Sequence, residues 1–337
     1  MRPSFHPRPV NGPFGDPGVF VSFLFERRAI LFDAGDIHSL PPKDILKISH
    51  VFISHTHMDH FTGFDRLLRL FLGREKELFM YGPKGFLGNV EGKLAGYSWN
   101  LVDHYSNRFR LHASEISDDG IVTRSYPCRT GFVAEKTGHT MPFGGTIHRE
   151  PGLSVSAGIL DHSIPCLGFA LKERFHVNII KDKLDRMGLS VGPWLKDFKT
   201  ALFEGRDPNS EFTVPGDAEH HPQKFVLGDL AGEIAIITPG QKIAYITDVV
   251  YDESNERKMI DLAENADYLF IEAAFLDRDK EQAGQKYHLT ARQAGTIAAK
   301  AGVKQFSISH FSPRYVGMED LLQTEADRAY GEMSAGK

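Results

Sequence analysis

The feature of this chain that most narrows its possible folds is the run His55-Thr56-His57-Met58-Asp59-His60, which begins two residues after the apolar stretch Val51-Phe52-Ile53. A short apolar run with β-branched members reads as a buried strand. Phe64, Leu67, Leu68, Phe71 and Leu72 follow at helical spacing, so the cluster sits between a buried strand and an amphipathic helix. Four side chains of metal-binding type can then converge on one point at a sheet edge. Imidazole and carboxylate are the donors that a borderline metal such as zinc takes when no thiolate is offered. The two cysteines, Cys128 and Cys166, lack zinc-site spacing and are expected to be packed thiols.

Further candidate ligands stand at the ends of other expected strands. Ser154–Ile159 and Leu167–Leu171 flank Asp161-His162, Asp248 ends the run Ile243–Thr247, and His310 ends Phe306–Ser309. A single histidine at a strand end is usually a packed core residue, but three acidic or imidazole residues in the same position point to one site. Strands are also expected at Val19–Phe25, Ala29–Phe32, Glu233–Thr238, Lys242–Thr247 and Tyr268–Ile271, with Pro239-Gly240 as a turn between two of them. Helices are expected from a cap at Ser254 to about Ala266, from the capping box Thr290/Gln293 to the stop at Gly302, and from about Met318 to Tyr330. Alternating strands and helices favour a layered α/β fold.

Gly88 to Pro151 is irregular in pattern, with short strand candidates only, and reads as an insertion or lid at about residues 88–151. The chain of 337 residues, with 41% hydrophobic and 25% charged residues, is expected to form a single domain. Its net charge of -5 gives no general affinity for polyanions, though a local basic patch is compatible with it. The segment Met1 to Gly15 lacks the apolar run of a signal peptide, and no stretch approaches the ~18 apolar residues that span a membrane. A cytoplasmic protein without membrane partners is expected.

Taken in order, His55 to His60, Asp161-His162, Asp248, Glu272-Ala273-Ala274-Phe275, His288 and His310-Phe311-Ser312-Pro313-Arg314-Tyr315 resemble the motif series of the ribonuclease Z branch of the metallo-β-lactamase superfamily. The match runs from about Val19 to Tyr315, and the pairing of His288 with the His-Phe-Ser-x-Arg-Tyr ending narrows it to that branch. The resemblance implies a four-layer αββα sandwich and a homodimer with two zinc ions, manganese or iron being alternatives. It implies one metal on His55, His57 and His162, a second on Asp59, His60 and His310, and Asp248 bridging them. The implied activity is endonucleolytic processing of precursor tRNA 3′ ends.

Within that frame the residues have roles that chemistry suggests. Asp59 can orient the attacking hydroxide, His288 is a candidate general acid, and Glu272 can orient His288 or a metal-binding histidine. Arg314 can grip a phosphate through its planar fork. Lys181 to Lys199, with Gly188-Leu189-Ser190-Val191-Gly192-Pro193, resembles the family's substrate-gripping arm, placed here at about 172–206. Lys181, Lys183 and Lys196 are its candidate RNA contacts, diluted by Asp182, Asp185 and Asp197.

The chain departs from the family at Asn11–Gly15, where a Gly-rich strand-turn is usual, and at Asp36-Ile37-His38. Its span between the cluster and His162 is also longer than in compact family members. Asp33 and Asp36 are read as structural, Asp33 bonding the loop that carries the cluster. His220-His221 is read as a decoy, and His104, His139 and His148 either line an entrance or do nothing. Two alternatives keep the same site: a metallo-hydrolase of a small phosphodiester such as a cyclic nucleotide, and a non-catalytic RNA-binding relative.

Overall fold

Ala29–Phe32 is buried at every position, the continuous apolar reading of a strand covered on both faces. It pairs antiparallel with Val19–Phe23, Val19 opposite Phe32, across the charged residues expected to join them. The computed structural model describes residues 4–24, 26–135, 138–216 and 221–334; Phe25, at the end of the expected first strand, lies outside them.

These two strands are β2 and β3 of an eight-stranded sheet. Its other members are β1 (Phe5–Pro9), β4 (Ile48–Phe52), β5 (Glu77–Pro83), β6 (Arg110–Ser117), β7 (Gly120–Pro127) and β8 (His139–Met141), arranged in sequence order. β3 to β6 run parallel to one another, and antiparallel strands flank them. The helices Phe64–Phe71 and Phe86–Ala95 cover one face, placing Phe64, Leu67, Leu68, Phe71, Phe86 and Val90 against Leu31, Val51, Met80 and Leu111. Each such side chain contributes about 1.5–3 kcal/mol when fully buried.

β6 and β7 lie in the stretch whose pattern gives only short strand candidates, yet each is eight residues long. Their buried positions are interleaved with His112, Ser114, Thr123 and Ser125. These polar residues bond one another across the pair and so mask an apolar alternation.

The second sheet contains β9 (Thr146–Arg149), β10 (Leu153–Asp161) and β11 (Pro165–Glu173). With β16 (Lys242–Ile246), β17 (Tyr268–Glu272) and β18 (Gln305–Ser309) they stand in the order β18-β17-β16-β11-β10-β9. β16, β17 and β18 are parallel. The helices Glu253–Ala263, Ala291–Lys300 and Glu319–Ser334 pack on this sheet through Met259, Ala263, Ala294, Ile297, Leu322 and Ala326. The inner faces of the two sheets meet at Phe32, Phe52, Phe169 and Tyr245. Ring centroids there lie 5.6 Å apart for Phe32–Tyr245, 5.8 Å for Phe32–Phe169 and 5.6 Å for Phe52–Phe169. The layers therefore run helix, sheet, sheet, helix: an αββα sandwich.

The capping box at Thr290 is formed as expected, and the helix Ala291–Lys300 stops before Gly302, which has a φ of +66°. The cap of Glu253–Ala263 is Asp252, whose side chain accepts from the Asn255 amide. Ser254 lies inside that helix, because an Asp two residues earlier is as good a cap and has the extended backbone.

Two compact units are present. Among the described residues, Phe5–Ile147, Val155–Leu171 and 242–334 form the larger, and Ser4, His148–Ser154 and Lys172–Gln241 belong to the smaller. The smaller holds β12 (Phe175–Ile179) paired with β15 (Ala235–Pro239), and β13 (Glu211–Val214) paired with β14 (Gln223–Val226). The helices Lys181–Arg186, Trp194–Glu204 and Leu227–Ile234 accompany them around a core of Val177, Leu184, Trp194, Phe198, Phe212 and Leu230.

The expected hairpin about Pro239-Gly240 does not form, since β15 pairs with β12 and β16 with β17. A Cβ at Gly240 would lie 2.2 Å from the Glu173 carbonyl oxygen, so the glycine serves a close backbone crossing. Among the described residues no helix is long and apolar enough to cross a membrane.

Candidate metal centre

The carboxyl ends of parallel β16, β17 and β18 deliver Asp248, Glu272 and His310 to one edge of the second sheet. The loop after β4 brings His55, His57, Asp59 and His60, and the turn between β10 and β11 brings His162. This local geometry is strained. Asp33, Ser163, Asp248, Tyr287 and His310 have φ between +48° and +61°, a region that costs a non-glycine residue about 1–3 kcal/mol. Five of the seven such residues among those described lie in or beside the cluster.

Asp248 is the hub. Its Oδ2 lies 3.5 Å from Nε2 of His55, 3.3 Å from Nε2 of His60 and 3.6 Å from Nε2 of His162. Its Oδ1 lies 3.0 Å from Nδ1 of His310 and accepts a hydrogen bond from Thr247. His55, His57, His162 and Asp248 form one group whose ligand atoms all lie within 4.8 Å of one another; Asp59, His60 and His310 form another. Asp59 Oδ2 is 3.5 Å from His60 Nε2 and 3.3 Å from His310 Nε2.

Three of the rings are aimed by their other nitrogen. His60 Nδ1 is 2.8 Å from Asp33 Oδ2, and Ser54 Oγ is 3.1 Å from His55 Nδ1. Asp33 also accepts from the Ser54 amide and hydroxyl and from Tyr245 OH, at 2.6, 2.7 and 2.7 Å. The expectation that Asp33 supports the loop of the cluster is met. His162 Nδ1 donates to the Tyr287 carbonyl at 2.8 Å. Fixing one imidazole nitrogen leaves the other directed into the centre.

Nε2 of His55, Nε2 of His60 and Nδ1 of His310 are buried without a hydrogen-bond partner. Leaving one such atom unsatisfied costs about 1–3 kcal/mol, so three around one carboxylate fit a site built for a cation. A nitrogen and oxygen donor set without thiolate suits a divalent metal such as zinc.

The electrostatics agree. Burial, with the charge of His60 beside it, pushes the His55 pKa down to about 2. Burial opposes the charged form of His60 too, but Asp248 and Asp33 outweigh it and hold that pKa up at about 10. Burial likewise disfavours ionised Asp248, yet His310 and His60 keep its carboxyl well below the usual range.

His288 lies outside the two groups above but forms a further one with Asp248, Glu272 and His310, its Nδ1 2.9 Å from Glu272 Oε2. The other Glu272 oxygen accepts the Val249 amide at 2.7 Å, which fixes a fully buried carboxylate. Arg314 lies over the Phe275 ring, its guanidinium carbon 5.3 Å from the centroid, with Nη1 3.8 Å from Asp279. Lys181 and Lys196 are exposed on helices of the smaller unit, and Lys183 lies 3.9 Å from Glu233. His104 and His139 are exposed, and His148 pairs with Glu150 at 2.8 Å. His220 lies outside the described residues, and His221 is exposed.

Sequence reasoning missed Gly35, Ser54, Tyr245 and Tyr287. A Cβ at Gly35 would lie 2.0 Å from the Asp59 carbonyl oxygen, so only glycine lets the two loops touch. Asp33-Ala34-Gly35 was the available signal, a turn-type run at a strand end.

Comparison with known proteins agrees with this geometry. The family model described as a beta-lactamase superfamily domain matches residues 190–311. A ribonuclease Z of Deinococcus radiodurans is 31% identical over 290 residues, 85% of this chain and 83% of that protein. The metallo-beta-lactamase fold protein YhfI of Bacillus subtilis superposes with a TM-score of 0.54 at 15% identity, over 96% of this chain and 92% of that one. Human tRNase Z, short form, superposes with a TM-score of 0.50 at 18% identity, over 92% of this chain and 93% of that one. These two likenesses establish the metallo-β-lactamase fold. The sequence identity, sustained over more than four-fifths of both chains, makes this protein a member of the ribonuclease Z family.

Proposed function

We propose that this protein is a dinuclear zinc-dependent endoribonuclease that trims the 3′ ends of precursor tRNA. The observation that carries the reading is the position of Asp248, whose Oδ2 lies within 3.6 Å of three imidazole Nε2 atoms while its Oδ1 approaches His310. In this reading His55, His57 and His162 would hold one ion, Asp59, His60 and His310 would hold the second, and Asp248 would be a ligand of both. Bound metal supplies Lewis-acid stabilisation of the phosphoryl oxygens and a water acidic enough to attack at neutral pH.

The chain's own groups do the rest. Asp59, half-exposed and held below the usual carboxylate range at about 2, stays ionised and orients the attacking water. His288 donates a proton from Nε2 to the leaving oxygen, because Nδ1 is engaged by Glu272. Burial opposes its charge, but Glu272 raises its pKa above the ordinary imidazole value, which favours the donor form.

Arg314 and, on the smaller unit, Lys181, Lys183 and Lys196 contact RNA phosphates in this reading. Homodimeric assembly follows from the family resemblance, and sedimentation velocity tests it. The activity is tested by incubating zinc-loaded protein with a 3′-extended precursor tRNA and mapping the product ends. One cut after the discriminator base, abolished by chelator and by His57→Ala, is the expected result. Hydrolysis of a cyclic nucleotide with no cut in the RNA would reassign the substrate to a small phosphodiester.

A further inference from the structure

Tyr287 holds an unfavourable backbone conformation to keep a side chain that its known contact does not need. Its φ is +59°, the left-handed region where a bulky residue is an outlier and glycine is at ease. The carbonyl of Tyr287 accepts the Nδ1 hydrogen of His162, a contact that glycine would make equally well. The ring is therefore not required by that hydrogen bond. It is 39% exposed, and its centroid lies 6.3 Å from that of His162, the two planes nearly perpendicular at 79°. His288, the proton donor of the reading above, is the next residue.

Two further exposed apolar side chains stand beside ligand residues of the centre. Met58, between His57 and Asp59, is 82% exposed, and Ile164, whose carbonyl accepts the His162 amide, is 37% exposed. A half-exposed aromatic ring beside a phosphodiester centre suits a nucleobase, since every base presents a π-face to an aromatic ring regardless of sequence.

We propose that Tyr287 is a specificity residue that stacks on the nucleobase flanking the scissile phosphate of single-stranded RNA. The proposal rests on the phosphodiesterase reading. Stacking holds the unpaired nucleotide so that its phosphate faces the centre and its leaving oxygen faces His288.

The test uses zinc-loaded protein and compares two RNA substrates, one with all bases present and one with an abasic residue at the cleavage junction. They are assayed with wild type, Tyr287→Phe, Tyr287→Ala and Tyr287→Gly, and the metal content of each protein is measured. Wild type and Tyr287→Phe are expected to show a KM about tenfold lower for the base-bearing RNA. Tyr287→Ala and Tyr287→Gly are expected to lose that preference, the ratio of the two KM values falling to about one whatever change both substrates share. Tyr287→Gly also relieves the backbone strain, so its loss of preference cannot be ascribed to misfolding.

Equal KM values for both RNAs in wild type would overturn the proposal and leave the phosphodiesterase reading standing. So would equal losses on both substrates in the alanine and glycine variants. Cleavage of neither RNA by wild type would overturn the reading and the proposal together.

Discussion

Asp33 Oδ2 lies 2.8 Å from Nδ1 of His60 and turns the opposite nitrogen of that ring toward Asp248, 3.3 Å away. The same carboxylate binds the Ser54 amide, the Ser54 hydroxyl and Tyr245 OH. It therefore ties the cluster loop of one sheet to a strand of the other. Asp33→Ala leaves these buried partners unsatisfied. A loss of about 3–5 kcal/mol in stability and a drop of about 10–100-fold in metal affinity are expected, measured by chemical denaturation and by zinc titration. Unchanged zinc affinity would show that the ring is aimed by something else.

A proton donor matters only where the leaving group needs a proton. His288→Ala is expected to slow cleavage of RNA by about 10²–10⁴-fold, because an alkoxide leaves poorly. The same variant is expected to retain most of its rate on a p-nitrophenyl phosphodiester, whose phenolate leaves unaided. Glu272→Gln follows the same split with a smaller loss, since it weakens the hold on Nδ1. Equal losses on both substrates would place His288 in metal binding.

The metal-free protein carries protons that a metal displaces. The folded pKa of His60 is about 10 against an ordinary 6.5, and a raised folded pKa stabilises fully below the unfolded value. That contribution is lost as pH rises through the folded value. The Tm of chelator-treated protein is therefore expected to fall between about pH 6.5 and 10, and the slope to flatten in His60→Ala. Zinc removes the slope by taking the place of the proton. A Tm that climbs over this interval would contradict the assignment.

Gly35 lies where two loops of the centre touch. A methyl group there would sit 2.0 Å from the Asp59 carbonyl oxygen and 2.5 Å from Asp16 Cβ, so backbone must move. Gly35→Ala is expected to cost about 1–3 kcal/mol and to weaken zinc binding through displacement of Asp59. Thermal denaturation with and without zinc checks both effects, and a variant as stable and zinc-replete as wild type would disprove the close contact.

Much of this was legible because metal-binding residues are chemically conspicuous. His55 to His60 announces itself after a buried strand, and His162, Asp248 and His310 each close an apolar run. The supports were not legible. Ser54 and Tyr245 are ordinary residues until the fold brings them to Asp33, and the Tyr287 carbonyl has no side-chain signature at all. β6 and β7 were hidden by paired polar side chains, and β15 was assigned the wrong partner because Pro239-Gly240 imitates a hairpin turn. In each case a contact distant in sequence overrides the local pattern.

The central claim is that two ions share Asp248. Protein stripped with chelator, reconstituted with excess zinc and desalted is to be measured by native mass spectrometry beside Asp248→Asn. Two zinc ions per chain in wild type, and fewer in the variant, are predicted. One ion or none in wild type, or two ions retained in Asp248→Asn, would contradict the account.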